Sequence, residues 1–116
     1  MAPYVKIAVR KDIPLGSFKT YEVDFNRLVI AHTADGFHAF ADACTHDSQP
    51  FGHGVLDNND IVCPRHGARF DVRTGEVTAP PALVPLDTYE LKIEGEDIVI
   101  LLDRGSNTVA EAKYDT

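Results

Sequence analysis

Two short Cys-His pairs, Cys44-Thr45-His46 and Cys63-Pro64-Arg65-His66, constrain this chain more than any other feature. They use both of its cysteines and two of its five histidines, and sixteen residues separate His46 from Cys63. Two thiolates and two imidazoles make a complete ligand set for a metal centre. The order, Cys-His and then Cys-His, limits which centre fits. A cysteine taken singly is a small apolar core residue, but four donors at these spacings point to a metal. Structural zinc accepts the same donors. Common zinc fingers, however, place cysteines together and then histidines together, so the interleaved order and the long intervening segment fit zinc poorly.

The rest of the chain reads as strands. Val5, Ile7 and Val9 alternate with polar or small residues, as do Tyr21, Val23 and Phe25, and again Tyr89, Leu91 and Ile93. Period two marks a half-buried strand. Leu28 to Ala31 and Ile98 to Leu102 are short apolar runs, read as more deeply buried strands. Turn signals fall at Ala34-Asp35-Gly36, Asp57-Asn58-Asn59-Asp60, Thr74-Gly75 and Gly95-Glu96-Asp97. This pattern predicts an antiparallel β-sandwich or partly closed barrel. The tail from Asn107 to Lys113 reads either as about two helical turns or as a frayed terminus.

Composition excludes several classes. The 116 residues suit one domain, and no apolar run is long enough to span a membrane. A net charge of −7 argues against nucleic acid, which needs a basic patch. It is compatible with docking on basic patches of protein partners, or simply with an acidic solvated surface. The N-terminus lacks a secretory pattern, so a cytoplasmic protein is expected. With both cysteines assigned as ligands none is left for a disulfide, which agrees with a reducing compartment.

The segment from Cys44 to Pro81 resembles the Rieske family of [2Fe–2S] proteins. The likeness rests on Cys44-Thr45-His46, Cys63-Pro64-Arg65-His66-Gly67, Phe70-Asp71, Thr74-Gly75 and Pro80-Pro81, and extends roughly from Val5 to Leu102. It implies an all-β fold, with a small cluster-binding subdomain inserted at about residues 44–68 of a single domain over 1–103, followed by a tail at 104–116. It also implies one [2Fe–2S] cluster per chain, with Cys44 and Cys63 on one iron and His46 and His66 on the other. Gly67, Ala68, Phe70, Pro80 and Pro81 are the expected supporting residues. Gly52, Gly54 and Gly67 lie in or beside the ligand loops, and the two prolines match a loop that shields one side of the cluster.

Departures from the pattern carry information too. Rieske proteins of respiratory complexes tie their ligand loops by a disulfide, and the matching positions here hold Gln49 and Arg65. Those proteins also donate hydroxyls to the cluster sulfurs from positions that match Ala68 and Phe70. Fewer donors predict a potential near the low end of the Rieske range, which runs from about −150 to +300 mV. Arg65 and Arg69 flank His66 and read either as partner contacts or as a solvated face. His53, between the ligand loops, reads as an exposed loop side chain.

The resemblance implies a soluble one-electron carrier that passes electrons from a flavin-dependent reductase to a terminal oxygenase. Contacts would be transient, the chain a monomer and not catalytic alone. No dinucleotide-binding glycine fingerprint appears, and 116 residues leave no room for an added mononuclear-iron domain. Two alternatives remain: a small Rieske-like subunit of a nitrite reductase or similar oxidoreductase, and a zinc-stabilised interaction module without a redox role.

Overall fold

The computed structural model describes residues 4–45, 47–52 and 54–102. Its strands are β1 (Tyr4–Val9), β2 (Phe18–Val23), β3 (Asn26–Thr33), β4 (Gly36–Ala41), β5 (Val55–Asp57), β6 (Asp60–Val62), β7 (Arg69–Asp71), β8 (Val77–Ala79), β9 (Thr88–Tyr89), β10 (Leu91–Glu94) and β11 (Asp97–Leu101). A 3-10 turn at Arg10–Asp12 is the one helical piece among the described residues. The strands form three antiparallel sheets, ordered β1-β11-β10, β2-β3-β4-β9 and β5-β6-β7-β8. The all-β expectation holds.

β3 explains the layering. Leu28, Val29, Ile30 and Ala31 are all fully buried. Neighbouring strand residues point to opposite faces, so an unbroken apolar run is apolar on both. Val29 and Ala31 join a core with Phe40, Phe51, Ile61 and Phe70. Leu28 and Ile30 join a second core with Ile13, Ala39, Ile98 and Ile100. The middle sheet therefore lies between the other two. Each fully buried aliphatic side chain contributes about 1.5–3 kcal/mol.

Two strand expectations need correction. The alternation of Tyr89, Leu91 and Ile93 is divided between sheets: Tyr89 pairs with Ala39 on β4, and Leu91 with Ile100 on β11. The chain changes sheets at Glu90, whose carbonyl accepts the Leu101 N–H at 2.9 Å and whose carboxylate accepts the Tyr4 hydroxyl. The second is Phe25, which does not extend β2. Asp24 and Phe25 form the hairpin turn at φ 49° and 67°, and Phe25 is 97% exposed. A two-residue hairpin of the type I′ kind needs positive φ at both positions, and here non-glycine residues supply it. The turns at Asp57–Asp60 and Gly95–Glu96 fall as expected.

The inserted segment between β4 and β9 carries the third sheet, which runs beyond residue 68 to Ala79. The tail from Asn107 to Lys113 lies outside the described residues. No helix among the described residues is long and apolar enough to cross a membrane.

Candidate metal centre

Two loops with one hydrogen-bond pattern carry the cysteines. Cys44 follows β4, and Cys63 sits between β6 and β7. The Cys44 N–H donates to the Gln49 carbonyl at 2.9 Å, and the Cys63 N–H to the Ala68 carbonyl at 2.8 Å. The Cys44 carbonyl accepts the Ser48 N–H at 2.6 Å, and the Cys63 carbonyl accepts the Gly67 N–H at 3.0 Å. Each loop thus closes on its own cysteine with the same offsets. Gly67 sits at φ 79°, as a residue without Cβ readily does.

Both cysteines are buried and neither forms a disulfide. Their sulfurs and a carboxylate oxygen of Asp47 all lie within 4.8 Å of one another. The His66 side chain is 54% exposed, with Nδ1 4.0 Å from Asp47 Oδ2. The fold therefore gathers Cys44 and Cys63, and places His66 at their side through Asp47. His46 and His53 lie outside the described residues. Paired buried thiols are soft donors, suited to iron–sulfur chemistry. Their arrangement inside an exposed imidazole fits a cluster with one sheltered end and one end at the surface.

Asp47 is the residue that sequence reasoning missed. Its carboxylate receives the Arg65 guanidinium, Nε to Oδ2 at 2.6 Å and Nη2 to Oδ1 at 3.1 Å. Arg65 also donates to the carbonyls of Pro50, at 2.9 Å, and Gln49, at 3.2 Å. The hydrogen bond to Asp47 raises the Arg65 pKa above its ordinary value. Arg69 is occupied too, by Asp57 at 2.5 Å and Asp60 at 3.1 Å. Neither arginine stands as a free cation. The signal that points to Asp47 is Arg65 itself, a fork-shaped cation in a ligand loop.

Supporting residues shape the surroundings. Ala68 and Phe70 are fully buried in the core that includes both cysteines. Phe51 meets Phe40 and Phe70 edge-on, at centroid distances of 5.8 and 6.0 Å, a favoured aromatic geometry. Gly54 leaves room for a neighbour: a Cβ there would lie 2.5 Å from the Val62 carbonyl oxygen, just before Cys63. Pro80 and Pro81 are exposed. The segment after them is held by buried Ala82 and Leu86, and by the Thr45 hydroxyl donating to the Val84 carbonyl at 2.5 Å. This strap therefore grips the first ligand loop, leaving Leu83 and Val84 on its outer side, 88% and 58% exposed.

Sheet order and a buried thiol pair beside an exposed imidazole define a β-domain with a metal-binding tip. The chain belongs to the Rieske [2Fe-2S] domain family, which matches it over residues 3–90. It is 33% identical over 103 residues to the ferredoxin component of biphenyl 2,3-dioxygenase from Rhodococcus jostii (strain RHA1), covering 89% of this chain and 96% of that one. Among solved structures it is similar to the ferredoxin of carbazole 1,9a-dioxygenase from Nocardioides aromaticivorans IC177. That match has a TM-score of 0.80 at 29% identity and covers 84% of this chain and 96% of the other. A complex of reduced oxygenase and oxidized ferredoxin in carbazole 1,9a-dioxygenase contains a chain matched at TM-score 0.77 and 30% identity, over 83% of this chain and 99% of that one.

Proposed function

We propose that this protein is a one-electron carrier, a ferredoxin that takes electrons from a flavin-dependent reductase and delivers them to the terminal oxygenase of an aromatic-ring dioxygenase system. The observation that carries the reading is the buried Cys44–Cys63 pair beside exposed His66. Cys44 and Cys63 would hold one iron, and His46 and His66 the other. When bound, the cluster supplies reversible uptake of a single electron. The chain's own residues determine where that chemistry is exposed. Buried Cys44, Cys63, Ala68 and Phe70 exclude water from the inner side, and His66 faces solvent, where a partner can approach.

Near end-to-end similarity to dioxygenase ferredoxins supports the assignment. So does the carbazole 1,9a-dioxygenase complex, in which a chain of this shape accompanies an oxygenase. Brief contacts suit a shuttle, at the small end of interface sizes. The chain works as a monomer in the cytoplasm and is not catalytic alone.

Low-temperature EPR of the dithionite-reduced protein, with iron and sulfide assayed on the same sample, tests the centre. A rhombic signal with about two irons and two sulfides per chain is expected. A silent spectrum with stoichiometric zinc would overturn the electron-carrier reading. Turnover of an aromatic substrate by a purified oxygenase and reductase, dependent on added ferredoxin, tests the role. A stable one-to-one complex with a single large reductase would instead indicate a fixed subunit.

A further inference from the structure

We propose that Arg65 is the positioning residue that clips the two ligand loops together and balances the charge of Asp47 beside the thiolates. The inference rests on the reading of this tip as a [2Fe–2S] site.

Arg65 lies in the second loop, and its acceptors among the described residues lie in the first. Nε and Nη2 grip the two oxygens of Asp47, Nη1 reaches the Pro50 carbonyl, and Nη2 also reaches the Gln49 carbonyl. A planar guanidinium makes such a multi-pronged contact, whereas an ammonium acts as a point charge. The contacts lead directly to a ligand. The Gln49 carbonyl that Arg65 touches is the one that accepts the Cys44 N–H. Asp47 Oδ1 also accepts the Gln49 N–H at 3.0 Å, so the carboxylate is fixed by its own loop before it meets the arginine.

The pair is partly sheltered, with side-chain exposures of 32% for Arg65 and 20% for Asp47. Sheltered pairs are screened less than surface ones. Gln49 and Arg65 are the two positions that match the covalent staple of respiratory Rieske proteins, and here they meet through hydrogen bonds. The clip also has an electrostatic side. The Asp47 carboxylate stands within 4.8 Å of both sulfurs. Left unpaired, it would add negative charge where an incoming electron must settle, and the guanidinium offsets it.

Positioning and charge balance separate in variants. R65A removes both, R65K keeps the charge and loses the fork, and R65A/D47N removes both charges. R73A is the control. Arg73 pairs with Asp71 and Asp35, away from the ligand loops. Each holoprotein is challenged with a ferrous chelator while visible absorbance is followed, its midpoint potential is measured, and its apoprotein is unfolded in urea. R65A is expected to lose its cluster at least tenfold faster than wild type, and R65K several-fold faster. R73A is expected to match wild type. The potential is expected to fall in R65A, to recover in R65A/D47N and to stay near wild type in R65K.

An R65A protein that folds as apoprotein but assembles no cluster also supports the clip. Wild-type cluster lifetime in R65A, equal acceleration in R73A, an R65A apoprotein that no longer folds, or unchanged potential in R65A each overturn it. A wild-type protein without iron and sulfide would instead overturn the site reading on which the clip rests.

Discussion

Ser48 and Gly67 hold the same place in two matching loops. Each stands four residues after a cysteine, at φ 63° and 79°, and gives its N–H to that cysteine's carbonyl. Only one of them is glycine. A side chain in the left-handed region costs roughly 1–2 kcal/mol, while glycine gives back roughly 0.5–1 kcal/mol through the freer unfolded chain. Ser48→Gly is therefore expected to stabilise the protein by about 0.5–1 kcal/mol. The check is a higher urea midpoint at unchanged m-value. A lowered midpoint would mean that the serine is not strained there.

Gly54 is expected to tolerate no side chain. A Cβ would stand 2.5 Å from the Val62 oxygen and 3.1 Å from the Phe51 oxygen, both backbone atoms. Gly54→Ala must push the strand that leads into Cys63, at about 1–3 kcal/mol for overpacking. Thermal unfolding together with iron content reads the effect. Wild-type values in both would show that the loop yields freely.

Hydroxyls at Ala68 and Phe70 are expected to raise the midpoint potential. Both positions are fully buried in the core that contains the cysteines. A new donor to sulfur that stabilises the reduced state by ~1 kcal/mol raises a one-electron potential by roughly 40 mV. Ala68→Ser and Phe70→Tyr, measured by redox titration, test this. Hydroxyls seen bonded to sulfur without any shift would sink the explanation.

Acid is expected to weaken the fold through His38. Burial lowers its pKa, with Arg73 acting in the same direction and Asp35 and Asp71 against it. Its Nε2 is buried without a hydrogen-bond partner among the described residues. The folded state thus holds the neutral ring, while the unfolded chain takes up a proton below about 6.5. More protons on the unfolded state mean that stability falls as pH drops from 6.5 toward the lower folded value. Urea titrations between about pH 5 and 7 are expected to slope less in His38→Leu than in wild type. Parallel slopes would assign the pH dependence to other groups.

Local chemistry in the sequence reached far into this fold. Spacing paired Cys44 with Cys63, whose sulfurs the fold brings together; the Asp57–Asp60 turn was legible from its residues, and β3 from its unbroken apolar run. The Asp47–Arg65 contact was not, because it joins residues 18 apart through side-chain geometry that no periodicity records. The change of sheet at Glu90 was hidden for a related reason. Alternation reports which face is buried, and it continues unbroken when a strand exchanges one hydrogen-bonding neighbour for another. Phe25 misled because its apolar character fits the strand period, while the hairpin's twist draws it into the turn.

A run of strand buried on both sides leaves no permissive position. From Leu28 to Ala31 every side chain meets one core or the other, whereas in β2 exposed Lys19, Thr20 and Glu22 leave room for change. Random variation is therefore filtered unevenly along this one hairpin. Sequences that drift while keeping the fold will diverge first along β2 and its turn, and a library randomised at 28–31 will return few survivors, nearly all of them aliphatic.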